Sequence, residues 1–314
     1  MHRRSVLLAL PAVFSIAAGS TLLLGNGADA LDAGTPVVAA GENVKAAAPA
    51  AVVDAKAPVQ ATAPQAARPG TRSRVIKDVL PSSVRIQLSV GESVIRVASG
   101  VILGFSEETG ERVGYVMTNT HVVESKEPVK IDVLVDRKGK TRAFPAKVVA
   151  MGEVPEMDLA LLEVPGLVGR AAELADDGDF ELGDDVVAVG APFGRGISIS
   201  SGIVSQLEWD EVGAAQGFKT DAPIGYGASG GGIFRVPDGK LLAVIEGYRT
   251  AKVSFPMAEK KYSFDVPMPG ETFASPAAKV RDFLRSRGVA HLVAELFPGE
   301  ELTPAAAPTK TAQR

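Results

Sequence analysis

The sequence contains no cysteine. That excludes disulfides, thiolate metal ligands and a cysteine nucleophile together. Nor is there an excess of base. Lys and Arg number 33 against 37 Asp and Glu, a net charge of −4, which lacks the positive footprint that nucleic-acid binding draws on. No nucleic-acid partner is expected. Histidine is scarce, with three in 314 residues, so chemistry that needs an imidazole has few places to find one. The Gly-rich stretches are not followed by Gly-Lys-Ser/Thr, which argues against a phosphate loop. The acidic stretch ELADDGDFELGDD (173–185) does not have the spacing of an EF-hand and reads as a solvated connection. No metal or cofactor is expected.

What is present begins with an export signature. MHRRSVLLALPAVFSIAAGSTLLLGNGADA has a basic start at Arg3 and Arg4, an apolar run from about Val6 to Leu24, and a small-x-small site ending at Ala30. Residues 1–30 are therefore expected to be a signal peptide, with an uncleaved membrane anchor as the alternative. Pro11, Ser15, Gly19 and Ser20 weaken the run as a spanning helix. The paired arginines also fit twin-arginine export. In every case the bulk of the chain is expected outside the cytoplasm, in the periplasm or elsewhere in the cell envelope. Residues 31–74 are rich in Ala and Pro and have no aromatic. Such a stretch cannot bury enough surface to offset its ordering entropy and reads as a disordered linker. The tail, 299–314, reads the same way.

Between them, residues 75–298 read mainly as strands. SVRIQLSV (83–90), SVIRVASGVILGF (93–105), GYVMTN (114–119), KIDVLVD (130–136), LALLEV (159–164), DVVAVG (185–190), SISSGIVSQL (198–207), KLLAVIEGY (240–248) and KYSFDVP (261–267) are β-rich and bounded by turn residues. Many short strands with few helical periods between them predict an all-β sandwich or a pair of barrels. One helix is predicted over 275–288, with Ser275 as cap, Pro276 in the first turn, Val280, Phe283 and Leu284 as the apolar stripe, and Gly288 at its end. VAHLVAELF (289–297) suggests a second short helix.

The stretch GYGASGGGIF (225–234) places Ser229 among glycines. A nucleophilic serine needs a base, an orienting acid and an oxyanion site. His2 belongs to the export segment and His291 to the C-terminal helical stretch. That leaves His121, in GYVMTNTHVVE, as the base, although a structural histidine fits the local pattern as well. Asp158, at the mouth of the apolar strand LALLEV, is the candidate partner of the imidazole, because a carboxylate there needs a hydrogen bond to offset its desolvation. It also fits a turn residue after Pro155. Glu153 and Glu156 are competitors that do not abut the apolar run. Backbone N–H groups of Gly227 and Ser229 are the candidate oxyanion donors, since glycine permits the dihedrals this needs.

His121, Asp158 and Ser229, in that chain order, resemble the triad of a trypsin-like serine peptidase of the HtrA (Deg) type. The matching segments are SGVILG (99–104), YVMTNTHVV (115–123), MDLALLEV (157–164), LGDDVVAVGAPFG (182–194), SGIVSQL (201–207), TDAPIGYGASGGGIF (220–234) and GKLLAVIEG (239–247). The resemblance implies two six-stranded antiparallel β-barrels, one over about 75–170 and the other over about 180–272, with the triad between them. It implies protein or peptide substrates, a homo-oligomer, and a primary pocket lined by Pro223 and Ile224 that prefers small or medium aliphatic side chains. Asp221 reads as structural.

The departures from the family pattern carry expectations too. Ala228 stands where digestive relatives have an Asp, so activation by an inserted N-terminal amine is not expected. Gly232 replaces a proline, and a looser, less preorganised turn is expected there. Beyond Gly288 too few residues remain for a PDZ module of roughly 90 residues, so none is expected. Two further readings compete with a general endopeptidase. One is a non-catalytic binding module on the same fold with an impaired oxyanion loop. The other is a peptidase with one dedicated protein partner.

Overall fold

The computed structural model describes residues 70–302, apart from 109, 210–214 and 258–259. The N-terminal apolar segment, the Ala/Pro-rich stretch up to residue 69 and the tail from 303 lie outside the described residues.

Six strands close the first barrel: β1 Ser83–Val90, β2 Ser93–Glu108, β3 Glu111–Thr118, β4 Lys130–Arg137, β5 Lys140–Met151 and β6 Ala160–Pro165. They pair antiparallel in the order β1-β2-β3-β6-β5-β4. Alternation explains β1. Val84, Ile86 and Leu88 point inward and are buried, while Arg85 and Gln87 point out. Gly100 of β2 is required by crowding, because a Cβ there would lie 2.6 Å from Val116, 3.0 Å from Ile86 and 3.1 Å from Val84.

The second barrel repeats the plan with β7 Asp185–Gly190, β8 Ser198–Trp209, β9 Ala215–Thr220, β10 Gly232–Arg235, β11 Leu241–Met257 and β12 Lys260–Pro276. Its order is β10-β11-β12-β9-β8-β7. Of the sandwich and the barrel pair that the strand pattern allowed, the molecule has the two six-stranded barrels that the resemblance implied.

Each barrel has its own interior core, and a third core joins them. Along β2, Ala98 and Ile102 face the first barrel's interior. Val101 and Leu103 face the other way, onto Val187, Val189, Phe234 and Val244 of the second barrel. With both faces buried, these strands read as continuous apolar runs. Helix α3, Ala277–Ser286, closes the shared core with Val280, Phe283 and Leu284, all fully buried. Each such side chain contributes about 1.5–3 kcal/mol by leaving water. The segment after α3 forms 3-10 turns over Ala290–Leu296, and Val293 packs so tightly on β2 that only glycine fits at Gly104.

Strands β5, β9 and β10 have no counterpart in the sequence pattern, β11 and β12 run well beyond theirs, and two helix boundaries differ as well. Ser275 does not cap α3. It belongs to β12, opposite Val244, and its hydroxyl donates to Glu246 Oε1. Ser-Pro ahead of an apolar stripe mimics a capping signal, but sheet pairing holds the chain extended as far as Pro276. At the other end, helix α1, Thr71–Val79, begins inside the stretch read as linker, because Val75 and Val79 are buried in the shared core.

Beyond the second barrel, β11 and β12 continue as a two-stranded arm, with Thr250 opposite Pro267 and Met257 opposite Lys260. Strand β9 reaches β12 only at Thr272, Phe273 and Ala274. Val253 and Phe264 face each other on one side of the arm and are exposed. Lys252 and Asp265 do so on the other.

Candidate active site

Strands β3 and β6 are hydrogen-bonded neighbours, with Thr118 opposite Ala160. Whatever follows β3 therefore meets whatever precedes β6. His121 sits in the one-turn helix α2, Thr120–Val123, after β3, and Asp158 stands two residues ahead of β6. Asp158 Oδ1 accepts the His121 backbone N–H at 2.9 Å, and Oδ2 lies 2.5 Å from His121 Nδ1. The connection is pinned from both sides. Asn119 Nδ2 donates to Asp158 C=O at 2.7 Å, and Thr120 Oγ1 to Leu159 C=O at 2.8 Å. Arg96 adds donors to the carbonyls of His121, Val122 and Glu124. The Asp158 carboxyl is buried, whereas the His121 ring keeps 42% of its surface in solvent. With Nδ1 donating to the carboxylate, Nε2 keeps a lone pair and can accept a proton. The competing acids stand apart from this contact. Glu153 is exposed and reaches Arg287 at 3.6 Å, and Glu156 is exposed as well.

Ser229 lies in the loop ahead of β10. Ala228 N–H donates to Gly225 C=O at 3.0 Å, and Gly227 has φ +93°. This is a type II turn with Gly227 at the position that requires positive φ. Tyr226 C=O accepts the Phe193 N–H at 2.7 Å. In a planar trans peptide the N–H points opposite to the C=O, so the Gly227 N–H faces away from Phe193. Among the described residues, neither the Gly227 nor the Ser229 N–H has a hydrogen-bond partner within the protein. Two free donors two residues apart, beside a serine, can stabilise a developing oxyanion.

The Ser229 hydroxyl donates to Glu246 C=O in β11, at 3.1 Å. Among the described residues no hydrogen bond joins it to His121. The two halves nevertheless meet across the barrels. Ser99 of β2 donates its N–H to Ser229 C=O at 2.9 Å, and Thr118 Oγ1 donates to Ser99 C=O at 2.9 Å. Gly230 is so close to both that a Cβ would lie 2.1 Å from Ser99 O and 2.3 Å from Thr118 Oγ1. The serine loop thus rests on the end of β3, from which His121 follows.

Pro223 and Ile224 border a cavity of about 30 Å³ together with Ala188, Ile199, Ala228 and Ile245. No acid lines it. Asp221 is turned away and accepts the Ile203 N–H at 2.7 Å. Gly232 does not loosen the loop as its sequence position suggested. It pairs with Val189 and Val244 inside β10, and the Phe234 ring occupies the space a side chain would need. Ala228 is buried against Gly190. Two acids of the connection 173–185 are drawn onto barrel two and α3, with Asp179 2.9 Å from Arg235 and Asp177 bonded to Arg281. The Arg235 guanidinium holds the Asp179 and Asp238 carboxyls below the usual range. Sequence reasoning missed Ser99, although its place in SGVILG, a hydroxyl at the head of an apolar run, was a usable signal.

Comparison with known proteins bears on the domain and the fold. Residues 98–244 match the family described as a trypsin-like peptidase domain. The chain is 35% identical over 157 residues to the periplasmic serine endoprotease DegP of Salmonella typhimurium, covering 49% of this chain and 30% of that protein. It is 31% identical over 224 residues to serine protease HTRA1B of Danio rerio, covering 67% and 40%. The chain thus spans well under half the length of these curated relatives. The crystal structure of the serine endoprotease from Yersinia pestis superposes with a TM-score of 0.52 at 23% identity, over 70% of this chain and 68% of the other. The chain carries a trypsin-like peptidase domain, homologous to the DegP and HtrA serine proteases, on the two-barrel fold.

Proposed function

We propose that this protein is an exported serine endopeptidase that hydrolyses peptide bonds in unfolded or exposed segments of other proteins. The observation that carries the reading is the bonded pair of His121 and Asp158 beside the Ser229 loop with its two free N–H donors. Its relatives include periplasmic serine endoproteases, which supports both protein substrates and export.

In this mechanism the Ser229 hydroxyl leaves the Glu246 carbonyl by a change of its side-chain rotamer and turns to His121 Nε2. Oγ attacks the scissile carbonyl carbon while Nε2 takes its proton. The carbonyl electrons move onto oxygen, which the Gly227 and Ser229 N–H groups meet. Asp158 stabilises the imidazolium. The C–N bond then breaks, and Nε2 returns the proton to the departing amine. The acyl group stays on Ser229 until a water, deprotonated by the same imidazole, releases it. The Pro223 and Ile224 cavity favours a small aliphatic side chain before the scissile bond.

A second reading is a non-catalytic binding module. The bond from Ser229 to Glu246 rather than to His121 favours it. Labelling with a fluorophosphonate and casein digestion, with Ser229→Ala as control, separates the two. Labelling and cleavage that vanish in the variant support the peptidase. A folded wild-type chain that does neither supports the binding module.

A further inference from the structure

We propose that barrel one sets the oxyanion turn of barrel two through two side chains, Ser99 and Arg85, acting as positioning residues. The proposal rests on the peptidase reading. The turn 191–194 carries the Phe193 N–H that fixes Tyr226 C=O. Phe193 holds φ +56° and ψ 14°, a left-handed conformation that is unfavourable for a non-glycine residue and persists only where its surroundings impose it. Its side chain contributes little to that restraint, since the residue is 67% exposed. The restraint comes from the two ends of the turn.

At one end, Ser99 Oγ accepts the Ala191 N–H at 2.8 Å and donates its own proton to Gly227 C=O at 2.7 Å. One buried hydroxyl therefore ties the turn to the oxyanion glycine. At the other end, Arg85 Nη1 donates to Gly194 C=O at 2.8 Å. The guanidinium is itself held by Asp136, with Nε at 2.6 Å and Nη2 at 2.8 Å from its two oxygens. Thr141 Oγ1 donates to the same carboxylate at 2.6 Å. Fork-to-fork pairing of this kind fixes direction as well as distance.

The two peptides flanking Gly227 are thus pinned separately, one through Phe193 and one through Ser99. Type I and type II turns differ chiefly in the orientation of their central peptide. Releasing Tyr226 C=O allows that peptide to rotate, which would carry the Gly227 N–H away from the oxyanion. Ser99 and Arg85 touch no substrate atom in this scheme. They act through the turn.

The test uses the full chain with Ser99→Ala, Arg85→Met and Arg85→Lys, assayed on one peptide substrate. Ser99→Ala is expected to lower kcat by roughly 10²-fold, as loss of an oxyanion donor does. Arg85→Met should lower it about tenfold, and Arg85→Lys should recover part of that loss. KM should stay within about twofold, the signature of an interaction made only in the transition state. Inhibition by a peptide aldehyde, whose adduct carries the oxyanion, should weaken in step with kcat. Binding of an uncleavable substrate peptide should not change. If Ser99→Ala fails to fold, the two Arg85 variants decide the question by the same readouts. Variants with wild-type kcat, or with kcat lost only in proportion to folded protein, overturn the proposal while wild-type turnover leaves the peptidase reading standing. A folded wild-type chain that turns nothing over defeats that reading, and this one with it.

Discussion

The two barrels share one topology but prepare their halves of the site differently. Barrel one assembles the pair of His121 and Asp158 from its own residues, with Asn119, Thr120 and Arg96 as supports, all between β2 and β6. Barrel two supplies Ser229, yet the loop around it depends on its neighbour. Its contacts to Ser99 and, through the turn 191–194, to Arg85 all cross the interface. An acid–base pair on adjacent strand ends is a local construction. The loop with the two free N–H groups instead leans on a neighbouring barrel.

The sharpest way to break this contrast is at its centre. Ser229→Ala should abolish turnover, a loss of roughly 10⁶-fold in kcat, measured on a chromogenic peptide. Asp158→Asn should cost roughly 10⁴-fold by disturbing the tautomer of His121, with fluorophosphonate labelling slowed to match. Both variants should unfold near the wild-type temperature if the pair serves chemistry rather than packing.

Gly227→Ala tests the barrel-two half. Its Cβ would lie 2.9 Å from Ala191 O in a backbone region that disfavours side chains, at a cost of about 1–3 kcal/mol. Denaturant titration should register that loss, and kcat should fall well beyond the folded fraction. A smaller effect concerns substrate choice. With only about 30 Å³ beside Pro223 and Ile224, replacing alanine by leucine before the scissile bond should lower kcat/KM, and a lysine there should be rejected.

The smallest effect sharpens the link between the barrels. The Arg85 hydrogen bond holds the Asp136 carboxyl below its ordinary value near 3.8. Because the folded value is the lower one, the stabilisation is complete above the ordinary value and disappears as pH falls through the folded one. The pair is partly solvated, so the loss should stay below about 1 kcal/mol. Denaturant midpoints measured between pH 5 and pH 2 should show this component in the wild type and lack it in Asp136→Asn.

Much of this was legible in the sequence. Turn-bounded β-rich runs located nine of the twelve strands but not β5, β9 or β10, and the shortage of histidine left His121 as the candidate base. Asp158 stood out because a carboxylate beside LALLEV needs a donor, and the His121 N–H and ring meet that need. What stayed hidden depends on partners distant in the chain. Arg85 alternates outward from β1 like any surface residue, and nothing local says that its guanidinium reaches Gly194. Ser275 obeyed the capping pattern but is claimed by Glu246 and by β12. The arm of β11 and β12 read as two separate short strands, because alternation along each strand does not reveal their mutual register.

That arm has a practical consequence. It leaves the second barrel after Tyr248, opposite Thr272, and its own pairs run from Thr250 and Pro267 outward. None of those outer pairs belongs to the closed cylinder, where β12 meets β9 only from Thr272 onward. The projection can therefore be cut back to a tight reverse turn, or exchanged for an unrelated hairpin, without removing a rung from the cylinder beneath it. It is a natural graft point on the same strand that carries the Glu246 carbonyl.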